Sequence, residues 1–205
     1  MKTKKIAIPL RIEDDLYQLK QRYCRYFASY HFLPCFICQE NLELLYECDA
    51  LCLPGGDDID PAYYGQENTN SHVNEKNDAL DMEVLRIADT IHLPIFGICR
   101  GIQCINVFYG GSLKQHIFHH QKNRHLVSYL KNGQIKRQET TNSFHHQCID
   151  QVAPHFSIFL LSEDHVIEGI MNQEKKILAV QYHPEIEDPF QIFSFFISLW
   201  LKDTN

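Results

Sequence analysis

With 205 residues, 44% apolar and 22% charged, the chain suits a single domain (1–205) with a full hydrophobic core and an ordinary globular composition. Its net charge of −7 argues against non-specific binding to nucleic acid and against attraction to an anionic membrane. The first apolar run, residues 6–10, is too short for a signal-peptide core or a membrane span, so the expected location is cytoplasmic.

In chain order, residues 4–10 (KKIAIPL) read as a buried strand. Residues 15–30 repeat apolar side chains at helical spacing through Leu16, Leu19, Tyr23, Tyr26 and Phe27. Residues 33–37 (LPCFI) and 49–53 (DALCL) read as strands, the second stopped by Pro54-Gly55-Gly56. Asn77 or Asp78 is a candidate cap for a helix to about His92, with Leu80, Val84, Leu85 and Ala88 inward. Residues 93–98 (LPIFGI) form a short apolar strand, and a helix from Arg100 to Tyr109 ends at Gly110-Gly111. Residues 112–147 are mixed and polar, suited to short strands and loops. Two further strands follow, 165–170 and 175–182, and Pro189 opens an apolar helix to about Lys202. Its Phe193, Phe196, Ile197 and Trp200 share a core stripe, while Phe190 and Leu201 leave apolar surface for a homodimer contact. Strands alternating with helices predict an α/β fold: a mostly parallel sheet with helices on both faces.

Eight cysteines in a chain of this length, without an export signal, are expected to be reduced. Cys35 and Cys38 form C-x-x-C, with Cys48 and Cys52 nearby. The second pair has the wrong spacing for a zinc ribbon, so buried, inert thiols are the expectation there, and Cys104 is read as core.

Cys99 differs. It lies in "FGICRGIQ", residues 96–103, between a buried strand and a helix, flanked by Gly97 and Gly101. This is the thiol version of the nucleophile elbow, in which small flanking residues relieve crowding between strand and helix. The helix N-terminus favours the reactive thiolate. The Arg100 N–H would point at a developing oxyanion, and a second donor would come from Gly55 or Gly56 at the same sheet edge. A thiol nucleophile needs a base. In "AVQYHPE", residues 179–185, an apolar strand ends at His183-Pro184-Glu185; the imidazole can accept the thiol proton and the glutamate can hold its tautomer.

Together with "LPGGDDIDPAYYGQ" (53–66), "LPIFGICRGIQCINVFYGGSL" (93–113) and "NSFHHQCID" (142–150), these motifs make the chain resemble a class I glutamine amidotransferase-like protein. Within that superfamily it is most similar to the gamma-glutamyl-gamma-aminobutyrate hydrolase family of cysteine peptidases. The resemblance implies a flavodoxin-like sheet and a Cys99, His183, Glu185 triad. It implies hydrolysis of a small gamma-glutamyl amide through a thioester, with no metal or organic cofactor. It places Gln103 against the glutamyl part and His146 at the pocket. Arg100 would bind a substrate carboxylate or, in the favoured reading, pin the acidic loop 57–60. His116, His119 and His120 are read as a solvated loop on the substrate side. The stretch between Gly111 and Asn142 is short for this family, as is the loop after the first strand, so the resemblance leaves the released amine open. Two other readings stand beside hydrolysis. One is a glutaminase subunit feeding ammonia to a synthase. The other is a non-enzymatic sensor, which His-Pro-Glu disfavours because a sensor needs no oriented base.

Overall fold

The computed structural model describes residues 3–121 and 123–202. In chain order the elements are β1 (Lys4–Pro9), β2 (Arg11–Glu13), β3 (Leu16–Gln18), α1 (Gln21–Ser29), β4 (Phe32–Ile37), β5 (Ala50–Leu53), α2 (Glu75–Thr90), β6 (Ile95–Ile98) and α3 (Arg100–Phe108). They continue with β7 (Ser112–Lys114), β8 (Asn123–Lys131), β9 (Gln134–Ser143), β10 (Cys148–Gln151), β11 (Ser157–Ser162), β12 (Ile167–Asn172), β13 (Ile177–Val180) and α4 (Ile192–Trp200). Short 3-10 segments occupy Gln39–Glu47 and Pro61–Tyr64.

Nine strands form one sheet in the order β4-β1-β5-β6-β13-β12-β11-β8-β9. The first five are mutually parallel, and the last four extend the sheet antiparallel. The parallel strands β5, β6 and β13 are buried along their whole length, as an apolar strand covered on both faces must be. Alternation in β1 divides the core. Ala7 packs with residues of α2 and α3, whereas Ile6 and Ile8 pack with Tyr23 and Phe27 of α1 and Phe193 and Phe196 of α4. Phe193 is the hub of that second layer, with ring centroids 4.9 Å from Phe27 and 5.2 Å from Phe96. This is the α/β layering expected from the sequence, and the α4 stripe is core. Among the described residues no helix is long and apolar enough to cross a membrane.

Register positions the functional residues. Leu53 pairs with Gly97, Gly97 with Ala179, and Ile98 with Val180. The chain therefore leaves β5 at Pro54-Gly55-Gly56, β6 at Cys99 and β13 at Gln181-Tyr182-His183 along one edge.

Several boundaries differ from expectation. Residues 15–30 are not one helix: β2 and β3 pair as a hairpin through Asp14, which takes φ 51°, and α1 begins only at Gln21. Leu16 points to solvent, while Tyr23 and Phe27 are buried as read. Helix α2 starts earlier, capped by Asn74, whose side chain accepts the Asn77 N–H at 3.2 Å. Asn77 and Asp78 are instead buried contacts to other segments. Helix α4 starts at Ile192, where the Asp188 carboxylate accepts the Ile192 N–H at 2.9 Å. Residues 112–147 contain two long strands, β8 and β9, joined by Asn132-Gly133, both at positive φ. Strand β11 is an addition to the elements read from the sequence. All eight cysteines are free, Cys104 is core as expected, and Cys35, Cys38 and Cys48 are half-buried rather than fully buried.

Candidate active site

Cys99 sits at the junction of β6 and α3 with φ 54° and ψ −107°, a backbone state that ordinary side chains rarely adopt. Its flanking glycines are required by packing. A Cβ at Gly97 would fall 2.7 Å from Ile105 Cδ1 and 2.8 Å from Ala179 Cβ, and one at Gly101 would press into the Leu53 carbonyl. Gly101→Ala is therefore expected to cost about 1–3 kcal/mol or more through overpacking, measured by urea unfolding. Undiminished stability would contradict this reading of the elbow.

His183 and Cys99 meet across the Gly55 turn. A Cβ built on Gly55 would lie 3.1 Å from His183 Cε1 and 3.6 Å from Cys99 Cβ, so both side chains flank one point. His183 Nδ1 is 2.7 Å from Glu185 Oε1, and the Glu185 side chain is fully buried. Asn142 at the end of β9 clamps the histidine backbone from both sides, donating to the His183 carbonyl and accepting its N–H, each at 3.0 Å. Phe144 closes the edge of the imidazole at 5.7 Å between centroids. Burial opposes an imidazolium here, but the Cys99 charge and hydrogen bonds to Cys99 and Glu185 outweigh it and push the His183 pKa up to about 10.

The glycine turn is held by residues that sequence reasoning missed. The Gly55 N–H donates to the Tyr23 hydroxyl at 2.9 Å, so it is committed and not free for an oxyanion. Arg11 donates to the Gly55 carbonyl at 3.1 Å and the Pro54 carbonyl at 3.2 Å. Among the described residues the N–H groups of Gly56 and Arg100 make no hydrogen bond, which leaves that pair as the donors available. Arg22 of α1 places Nε 3.2 Å from Glu185 Oε1. None of these contacts has a local sequence signal.

Arg100 is corrected. Its guanidinium is buried and bonded to Asp78 and Asp81 of α2, not to the loop 57–60 or toward the cleft. It reaches the loop only indirectly, because Asp78 also accepts the Asp60 N–H at 3.1 Å. Burial works against its charge, and Asp81 and Asp78 more than restore it, holding the guanidinium above its ordinary pKa. Gln103 lies on the pocket side of α3, where Nε2 donates to the Gln147 carbonyl and to Gln181 Oε1, each at 3.2 Å. Gln181 Nε2 in turn is 3.8 Å from Cys99 Sγ. His146 also lines this recess, with Nε2 3.0 Å from Asp58 and Nδ1 3.4 Å from His116. His116 and His119 are exposed as expected, but His120 is buried, with Nδ1 3.3 Å from His145 Nε2.

In front of Cys99 and His183 lies an open cleft of about 1280 Å³, walled by the β2–β3 hairpin, the start of α1, the glycine turn and residues 71–74. The arrangement can present a sulfur nucleophile, an imidazolium and two N–H donors to a carbonyl group.

The family model of peptidase C26 matches residues 19–185. A glutamine amidotransferase-like protein of Lactococcus lactis is 31% identical over 67% of the chain, and the gamma-glutamyl-gamma-aminobutyrate hydrolase of Escherichia coli K12 is 27% identical over 70%. The chain spans 66% of the length of each of these relatives. In structure it is similar to a GMP synthase subunit protein of Thermoplasma acidophilum, with a TM-score of 0.75, 22% identity and coverage of 98% of this chain and 96% of that one.

Proposed function

The chain belongs to the peptidase C26 family, a glutamine-amidotransferase-type hydrolase of amide bonds, and from that premise we propose that it is a cysteine hydrolase of small gamma-glutamyl amides. The observation that carries the reading is the strained Cys99 beside a His183 whose other nitrogen is held by buried Glu185.

Cys99 Sγ attacks the gamma-carbonyl carbon, and the N–H groups of Arg100 and Gly56 receive the oxyanion. The C–N bond breaks as His183 gives its proton to the departing amine, leaving a gamma-glutamyl thioester. Water then adds to the thioester carbonyl while His183 takes its proton, and collapse releases glutamate and the free thiol. Each oxyanion donor is worth about 2.7–4 kcal/mol in the transition state. Gln181, held by Gln103, steadies the sulfur from 3.8 Å, and the cleft receives the amine.

The proton on His183 dictates the pH profile. Since its pKa is pushed up to about 10, the imidazolium persists through neutral pH and is lost as pH rises through that value. kcat/KM is thus expected to fall above about pH 10. Glu185→Gln removes one support of the charge and is expected to move this alkaline limb toward neutrality. An alkaline limb unmoved in Glu185→Gln would count against the assignment of Glu185. The sign for stability agrees: a raised folded-state pKa contributes stability fully below the unfolded value, lost on passing above the folded one.

The substrate class is tested by incubating the full chain with glutamine and a panel of gamma-glutamyl amines, reading glutamate release. Turnover of gamma-glutamyl amines well above glutamine supports the proposal. Release from glutamine alone, rising when a synthase is added, would replace it with the glutaminase-subunit reading.

A further inference from the structure

Three imidazoles and one carboxylate converge between β8, β9, β12 and the segment before β8, and one of them, His145, also lines the recess that holds Cys99. Glu168 of β12 is fully buried, and among the described residues neither of its oxygens accepts a well-formed hydrogen bond. Its Oε1 instead faces His125 Nε2 at 3.4 Å, His145 Nε2 at 3.5 Å and His120 Nδ1 at 3.7 Å. His120 Nδ1 and His145 Nε2 are 3.3 Å apart. Both ring nitrogens of His125 are also buried without a hydrogen bond.

The remaining nitrogens fix the tautomers of His120 and His145. His120 Nε2 lies 3.0 Å from Asp164 Oδ2, and His145 Nδ1 lies 2.9 Å from the Gln147 carbonyl. Both partners accept, so both of those nitrogens carry hydrogen. In the tautomers so set, His120 Nδ1 and His145 Nε2 point lone pairs at each other and at the Glu168 carboxylate. Three electron donors facing one another in a buried space repel unless a positive charge sits among them, and His125 Nε2 lies 3.4 Å from the same carboxylate. The spacing indicates which charge. Zinc bonds of about 2.0–2.2 Å to nitrogen and oxygen in a tetrahedron set ligand atoms roughly 3.3–3.6 Å apart. The distances from Glu168 Oε1 to His125 Nε2 and to His120 Nδ1 fall at or within a tenth of an ångström of that range, and ligand atoms of His120, His125 and Glu168 all lie within 4.8 Å of one another. A histidine ligand whose other N–H goes to a carboxylate or a backbone carbonyl is the usual supporting arrangement.

We propose that His120, His125 and Glu168 form a site for a divalent zinc-class ion, with His145 beside it. With three protein ligands drawn from separate segments of the chain, the ion has a tying role. It links the segment bearing His120 to β8 and β12.

The test uses the full chain, stripped with a chelator and titrated with Co²⁺ and then Zn²⁺. One equivalent of Co²⁺ is expected to give the visible absorption of a tetrahedral site without thiolate charge transfer. One equivalent of Zn²⁺ should displace it, and either ion should raise the Tm. Asp164→Asn, at a partly exposed supporting residue, is expected to weaken binding by about 10–100-fold. Glu168→Gln should abolish stoichiometric binding. Absence of one-to-one binding, a thiolate charge-transfer band, or unchanged affinity in Asp164→Asn would each overturn the proposal. If Glu168→Gln does not fold, the wild-type cobalt spectrum and Asp164→Asn decide. A cluster neutralised by a shared proton would show no stoichiometric metal uptake and so also refutes it.

Discussion

Cys99→Ala is expected to lower turnover of gamma-glutamyl substrates by about 10⁴-fold or more, because the reaction loses the atom that takes the acyl group. Alanine keeps a Cβ and accepts the same φ of 54° with similar strain, so the elbow and the oxyanion donors should stay in place. The Tm should move little, and the binding of substrate should survive. Cys99→Ser should fall nearly as far, since the site is arranged around a thiolate and an imidazolium. Retention of substantial turnover by Cys99→Ala would remove the nucleophile from the account. The buried cysteines elsewhere are poor substitutes. Burial pushes the Cys104 thiol up to about 12 and the Cys148 thiol up to about 11, and it raises Cys52 as well.

Arg100→Leu is expected to be the most damaging substitution for stability. Arg100, Asp78 and Asp81 are all buried, and Asp81 also receives Arg11 at 2.9 Å. Removing the central guanidinium leaves Asp78 without its cation in a site that water does not reach. Breaking a buried pair from one side typically costs about 3–5 kcal/mol. For a chain of this size that corresponds to a fall in Tm on the order of 10 °C. The damage should extend to function, since Arg11 and Asp81 together hold the carbonyls of Pro54 and Gly55 and hence the Gly56 N–H. Replacing Arg100 and both aspartates together by apolar residues of similar volume should recover much of the stability. A loss below about 1 kcal/mol in Arg100→Leu would show that the pair is dispensable.

The nucleophile turn and the base are legible in the sequence because their logic is local. Gly97 and Gly101 bracket Cys99 within five residues, and crowding by Leu53, Ile105 and Ala179 explains both. His183 and Glu185 are two residues apart at a strand end, so their meeting needs only the turn at Pro184. What supports them is not legible, because it comes from distant segments. Tyr23, Arg22 and Asn142 reach the site from α1 and β9, and no spacing in the sequence announces such contacts. Proximity in the chain favours the acidic stretch 57–60 for Arg100, although Asp78 and Asp81 lie one turn apart on a helix face and offer a better fork. That spacing is a usable signal. Asn132-Gly133 is another: it is a strong type I′ hairpin signal, and it marks β8 and β9 inside a segment whose mixed polarity suggests short strands and loops. His120 cannot be placed from sequence, since its partners His125, His145 and Glu168 converge only when the antiparallel strands pair.

The central claim is that an acyl group passes through the sulfur of Cys99. It is tested most directly by quenching the working enzyme in acid and mapping its peptides by mass spectrometry. A gamma-glutamyl adduct is predicted on the peptide carrying Cys99, cleaved by hydroxylamine as a thioester is and absent from the other seven cysteines. An adduct on a different residue, or steady turnover in an enzyme whose Cys99 has been fully alkylated, would contradict it.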